Sequence, residues 1–126
     1  MALRRSGQDW FREHHEPGDE PRVSRFYPTH KSWKGPGWWF EFPDFAVSNP
    51  AGWIGLLCQR RDNPDAFHHL RVPMDLFVTR KPHLGYRADI KKFSLFLSGE
   101  PETFFREMRG SGKIEFGEFE HRCDGT

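Results

Sequence analysis

The stretch KSWKGPGWWFEFP, residues 31–43, holds three of the five tryptophans together with two glycines and two prolines. Its second half alternates strictly. Trp38, Phe40 and Phe42 point to one side of an extended chain and Trp39 and Glu41 to the other. Residues 37–42 therefore read as a strand whose tryptophan-phenylalanine face enters a core. The first half, with Lys31, Trp33 and Lys34 around a glycine-proline turn, interleaves cations and rings.

Rings dominate the apolar composition. Thirteen phenylalanines, five tryptophans and two tyrosines stand against eight leucines, four valines and three isoleucines. A core made from this chain is built around aromatic side chains, which bury large areas and pack edge to face. At 126 residues the chain has the size of one domain. No run of eighteen apolar residues occurs, so no transmembrane helix and no membrane partner are expected. MALRRSGQDW lacks the apolar stretch of a secretory signal, and a cytoplasmic protein is the expectation. Cys58 and Cys123 are too few for a disulfide framework and read as free thiols, Cys58 as a buried small hydrophobe. A formal net charge of +1 excludes a strongly basic electrostatic binder but leaves room for a local basic patch.

Outward from the opening stretch, residues 1–25 are polar and proline-containing and read as an N-terminal arm with a turn or two of helix before Pro17. Residues 52–60 (GWIGLLCQR) are almost continuously apolar, as in a central strand buried on both faces. Asp62-Asn63-Pro64-Asp65 is a turn, and residues 66–72 alternate again, which predicts an antiparallel hairpin over 52–72. Pro73 opens a short helix to Thr79. Residues 91–98 alternate with Phe93, Leu95 and Leu97 inward. Residues 101–109 have an early proline, Phe104 and Met108 one turn apart, and Gly110 as a stop, which predicts a helix. Residues 113–119 read as a last strand with Ile114 and Phe116 inward. The expected fold is a single α+β domain over 26–122, a mainly antiparallel sheet of four to five strands with one or two short helices packed on it, and a polar tail at 123–126.

Three functional readings follow. The first is a nucleic-acid-associated module with an aromatic and basic surface made of Lys31, Trp33, Lys34, Trp39, Arg71, Lys91 and Arg109. Lysine and arginine neutralise phosphates, and exposed rings stack on the bases of single strands. The second is a Mg²⁺-dependent nuclease using Asp65, Asp89 and Lys91, loosely similar to the proline-aspartate, acid-x-lysine signature of restriction-type nucleases. Such chemistry needs carboxylates to hold the metal and a lysine to stabilise charge. An Asp89-Ile90-Lys91 triplet entering a strand sets its two charged side chains on one face. The third is a protein-interaction or assembly domain whose surplus rings meet a protein partner. Outside the nuclease reading no cofactor is implied. Cys58, His68 or His69, His121 and Cys123 have no zinc-ligand spacing, and adjacent histidines on a strand face opposite ways, so no metal ligands are assigned. Arg109-Gly110-Ser111-Gly112-Lys113 flanks a tight turn with two cations, a geometry open to a phosphate or to a plain connection.

Overall fold

A computed structural model of the chain describes Gly7, residues 21–29 and residues 35–121, except for the side chain of His121. Lys31, Trp33, Lys34, Cys123 and most of the expected arm and tail lie outside these residues.

The opening strand forms as its alternation dictates. β2 (Gly37–Pro43) follows β1 (Arg22–Ser24) in the chain, and it buries Trp38, Phe40 and Phe42 while Trp39 is half-buried and Glu41 exposed. Next come β3 (Trp53–Gln59), β4 (Phe67–Pro73), the helix α1 (Met74–Thr79), β5 (Tyr86–Arg87), β6 (Lys92–Ser98) and β7 (Glu120–His121). The 52–72 hairpin is present, with Trp53 opposite Pro73 and Gln59 opposite Phe67. β3 is buried on both faces, Ile54, Leu56 and Cys58 on one and Leu57 on the other.

The strands do not form one sheet. They divide into a four-stranded sheet in the order β1-β3-β4-β7 and a three-stranded sheet in the order β2-β6-β5. The inner faces of both contribute to a single cluster: Trp38, Phe40, Phe42, Phe93, Leu95 and Leu97 from one, and Ile54, Leu56, Cys58, Leu70 and Val72 from the other. Phe77 of α1 closes one end against Phe42 and Phe93, with ring centroids 5.6 and 5.2 Å away. Two sheets sharing a core let every alternating strand hide its apolar side.

Three local expectations are corrected. Part of the presumed arm is structural, because Arg22–Ser24 pairs in parallel with Leu56, Leu57 and Cys58 and covers the edge of β3. The predicted helix at 101–109 is absent. A 3-10 turn at Pro101–Thr103 leads into extended backbone that bonds to β6: Phe105 N–H donates to Ser98 (2.7 Å), Ser98 N–H to Arg106 (2.9 Å) and Met108 N–H to Phe96 (2.8 Å). Phe105 adopts a φ of 64°, a conformation costing about 1–3 kcal/mol for a bulky residue. Its ring is buried, centred 5.2 Å from that of Trp38. Burial of that ring and the β6 hydrogen bonds override a weak helical spacing. The expected strand at 113–119 is reduced to an Arg106–Glu115 bridge and a 3-10 turn at Gly117–Phe119, with Phe116 buried and the strand shifted to Glu120–His121.

β6 is central in its sheet, and a buried carboxylate bonds to its edge away from β2. There Glu107, 0% exposed, accepts four backbone hydrogen bonds: from Gly85 (3.0 Å) and Gly110 (2.7 Å) at Oε1, and from Phe96 (3.1 Å) and Arg109 (2.9 Å) at Oε2. The carboxylate ties the approach to β5, the middle of β6 and the 109–112 turn at one point. Gly85 and Gly110 are required beside it, since a Cβ on either would collide with the carbonyl oxygen of Ser94 or of His83.

Candidate nucleic-acid interface

The two sheets are joined at the corner where β1 passes β2. Tyr27 and Gly37 exchange two backbone bonds of 2.9 Å, and Trp39 N–H donates to Ser24 Oγ at 2.9 Å. Between this corner and Glu41 a cleft of about 370 Å³ opens, lined by Arg22, Ser24, Arg25, Tyr27, Trp39 and Glu41 among others. β1 and the residues that follow it form one wall and β2 the other.

Trp39 carries the Arg109 guanidinium 5.1 Å from its ring centroid. That contact is fixed from behind, because the Arg109 amide is one of the four bound by Glu107. The Arg22 guanidinium lies 5.8 Å from the Phe42 ring. Glu41 stands opposite Ser94 in the β2–β6 ladder, and the Ser94 hydroxyl donates to its Oε2 at 2.7 Å. The cleft thus combines two arginines, an arginine-capped tryptophan, a tyrosine and one oriented carboxylate.

Of the residues expected to bind nucleic acid, Trp39 and Arg109 meet here. Lys31, Trp33 and Lys34 fall outside the described residues. Arg71 lies elsewhere, on β4, two strands over from β1, with its guanidinium 4.6 Å from the Trp53 ring. Lys91 is in the turn before β6, where its carbonyl accepts from the Asp44 amide (2.9 Å). At that end Asp44 accepts from the Tyr86 hydroxyl (2.8 Å) and from Lys81 (3.5 Å). The Tyr86 bond first, then Lys81, hold its carboxyl below the ordinary value despite partial desolvation. Arg22, Arg25 and Tyr27 were missed, whereas Glu41 was read as the neighbour of Trp39 on the far face of its strand. The signal for the two arginines was the short run Arg22-Val23-Ser24-Arg25, which the surrounding prolines and charges disguised as arm.

The nuclease set does not converge. Asp65 sits in the β3–β4 turn, the end of the sandwich where Gln59 C=O accepts from Trp38 Nε1 (2.9 Å). Asp89 and Lys91 sit at the other end, next to Lys92, which pairs with Pro43. The length of β2, about 20 Å, separates the two ends. Asp89-Ile90-Lys91 is a turn and not a strand entry, with Lys91 at a φ of 54°, so the same-face argument lapses. Asp89 is exposed and pairs with Arg87 at 3.5 Å.

Cys58 and His68 are opposite one another in the β3–β4 ladder, whereas His69 is on the other face, opposite His121 in register. Among the described residues no group of three His, Cys, Asp or Glu is arranged to hold a metal ion. Burial, reinforced by the Glu120 charge, pushes the Cys58 thiol well above its ordinary value, which removes it as a nucleophile. Burial likewise lowers His68 below its ordinary value, against the raising effect of Glu120, whose Oε2 lies 3.0 Å from His68 Nδ1. The 109–113 turn is a connection, its Gly110 amide bound to Glu107 and its Gly112 amide donating to His83 C=O (3.0 Å).

No family model matches this chain, and no curated protein or solved structure matches it either. Among the described residues no helix is long and apolar enough to cross a membrane.

Proposed function

We propose that this protein binds single-stranded nucleic acid in the cleft between β1 and β2. The observation that carries this reading is the lining itself: Arg22 and Arg25 line the same cleft as Trp39, which carries the Arg109 guanidinium over its ring. Arginines suit phosphates and a partly exposed indole suits a base, each stacked base being worth about 1–3 kcal/mol. A cytoplasmic setting agrees with Cys58 as a free thiol. The Mg²⁺-dependent nuclease draws no support from the separated Asp65, Asp89 and Lys91.

The test is tryptophan fluorescence and oligonucleotide anisotropy at 20 and 200 mM salt. Quenching at micromolar protein is expected, with log Kd rising with log salt by about 0.7 per phosphate contacted. Arg22→Ala/Arg25→Ala should lower both the affinity and the slope. Absence of quenching, or affinity unchanged in the double variant, overturns the reading.

A second reading, a protein-interaction domain, is favoured by a separate feature. Phe45 is 76% exposed on the 3-10 turn Asp44–Val47, which packs against α1, where Val78 is also exposed. Light scattering on wild type and Phe45→Ser separates the two, since a self-associating protein would become monomeric in the variant.

A further inference from the structure

A carboxylate in a cleft meant for phosphates calls for its own reason. Glu41 repels the backbone that Arg22 and Arg25 attract, yet it is held in place by the hydroxyl of Ser94, which is itself fully buried. Among the described residues Glu41 takes part in no ion pair. An ionised carboxylate offers about four acceptor positions, of which the Ser94 bond uses one. Glu41 and Trp39 are two residues apart on β2 and project to the same side, about 7 Å apart along the strand. A base packed at the indole would therefore lie within reach of the carboxylate.

We infer that Glu41 makes this cleft selective for guanine, an inference that rests on the nucleic-acid reading above. Single-stranded bases are read on their Watson–Crick edges. Guanine alone presents two adjacent donors there, N1–H and the N2 amino group, which match the two oxygens of a carboxylate. Adenine and cytosine each set one amino group beside an acceptor nitrogen. Uracil and thymine flank their single N–H with two carbonyl oxygens that repel the charge. Stacking supplies affinity that is indifferent to sequence, the arginines anchor phosphates, and Glu41 supplies the discrimination.

The experiment uses the full chain and fluorescein-labelled thymidine octamers carrying one central guanine, inosine, adenine or cytosine, plus the all-thymidine octamer, at fixed low salt. Wild type should bind the guanine probe at least about tenfold more tightly than the adenine, cytosine and thymidine probes, as a bidentate pair provides. Inosine, which lacks the N2 amino group, should fall between. Glu41→Gln, which keeps an acceptor for Ser94, should lose the guanine preference and bind the other probes as well as wild type or better, since a charge next to the phosphates is removed. Equal affinity of wild type for all probes, or a guanine preference retained in Glu41→Gln, overturns guanine selectivity and leaves the binding cleft standing. Failure to bind any probe overturns both.

Discussion

Glu41 and Glu107 both bond to β6, at positions two residues apart on that strand, and they serve opposite purposes. Glu107 is sealed from water and its oxygens are occupied by the amides of Gly85, Phe96, Arg109 and Gly110. Glu41 is exposed, lines the cleft and is held by one hydroxyl. A carboxylate whose acceptor positions are filled by its own backbone is a fastening. One that is only oriented keeps its chemistry for something else.

The sharpest way to break that contrast is to remove Glu107. Glu107→Ala leaves two buried amides, of Gly85 and Phe96, and two part-buried ones, of Arg109 and Gly110, without their partner, each buried one costing about 1–3 kcal/mol. The expected loss is more than about 4 kcal/mol, enough to unfold a marginal domain, and urea denaturation measures it. A midpoint equal to wild type would show the carboxylate to be dispensable.

The neighbouring tryptophans repeat the comparison on a single strand. Trp38→Ala empties a core site that Phe26, Phe104 and Phe105 surround, and should cost about 3–5 kcal/mol of stability. Trp39→Ala should cost far less stability and instead weaken oligonucleotide binding by about 1–3 kcal/mol. If the two variants lose equal stability, the division of β2 into a core face and a cleft face is wrong.

Acid titration probes a half-buried group that lies outside the cleft. Burial holds His68 below 6.5, so the unfolded chain takes up that proton first. The stability from neutral His68 is complete above pH 6.5 and is lost as pH falls from there through the native value. His68→Gln should flatten the stability profile in that window, read by thermal melts between pH 7.5 and 5. An unchanged slope would assign the acid sensitivity to another group.

The smallest effect belongs to Glu41. As an exposed residue with one hydrogen bond, Glu41→Gln should shift stability by less than about 0.5 kcal/mol. A larger loss would move Glu41 into the same class as Glu107.

Alternation of period two was enough to find β2, β6 and the β3–β4 hairpin and to select Trp38, Phe40, Phe42, Phe93, Leu95 and Leu97 as core, because each strand shows one apolar side in its own sequence. The helix expected at 101–109 failed because Phe104 and Met108, one turn apart, carry little weight against the hydrogen bonds that Phe105, Arg106 and Met108 make with β6. In the candidate site Trp39 was legible as the residue on the other side of a core strand, and Arg109 only as a cation near a turn. Glu41 was legible as a position but not as an oriented acceptor, since Ser94 is fifty-three residues away.

Local pattern in the chain settles which segments extend, which of their sides are apolar, and that rings build the core. Tertiary structure alone decides that the strands split into two sheets, that Arg22–Ser24 leaves the arm to edge β3, and that a cleft opens where β1 and β2 part. Period-two alternation records the environment of each side chain but not the identity of its partner. Pairings such as Ser24 with Trp39, Glu41 with Ser94 and Glu107 with Gly85 arise only when distant segments are packed over one core.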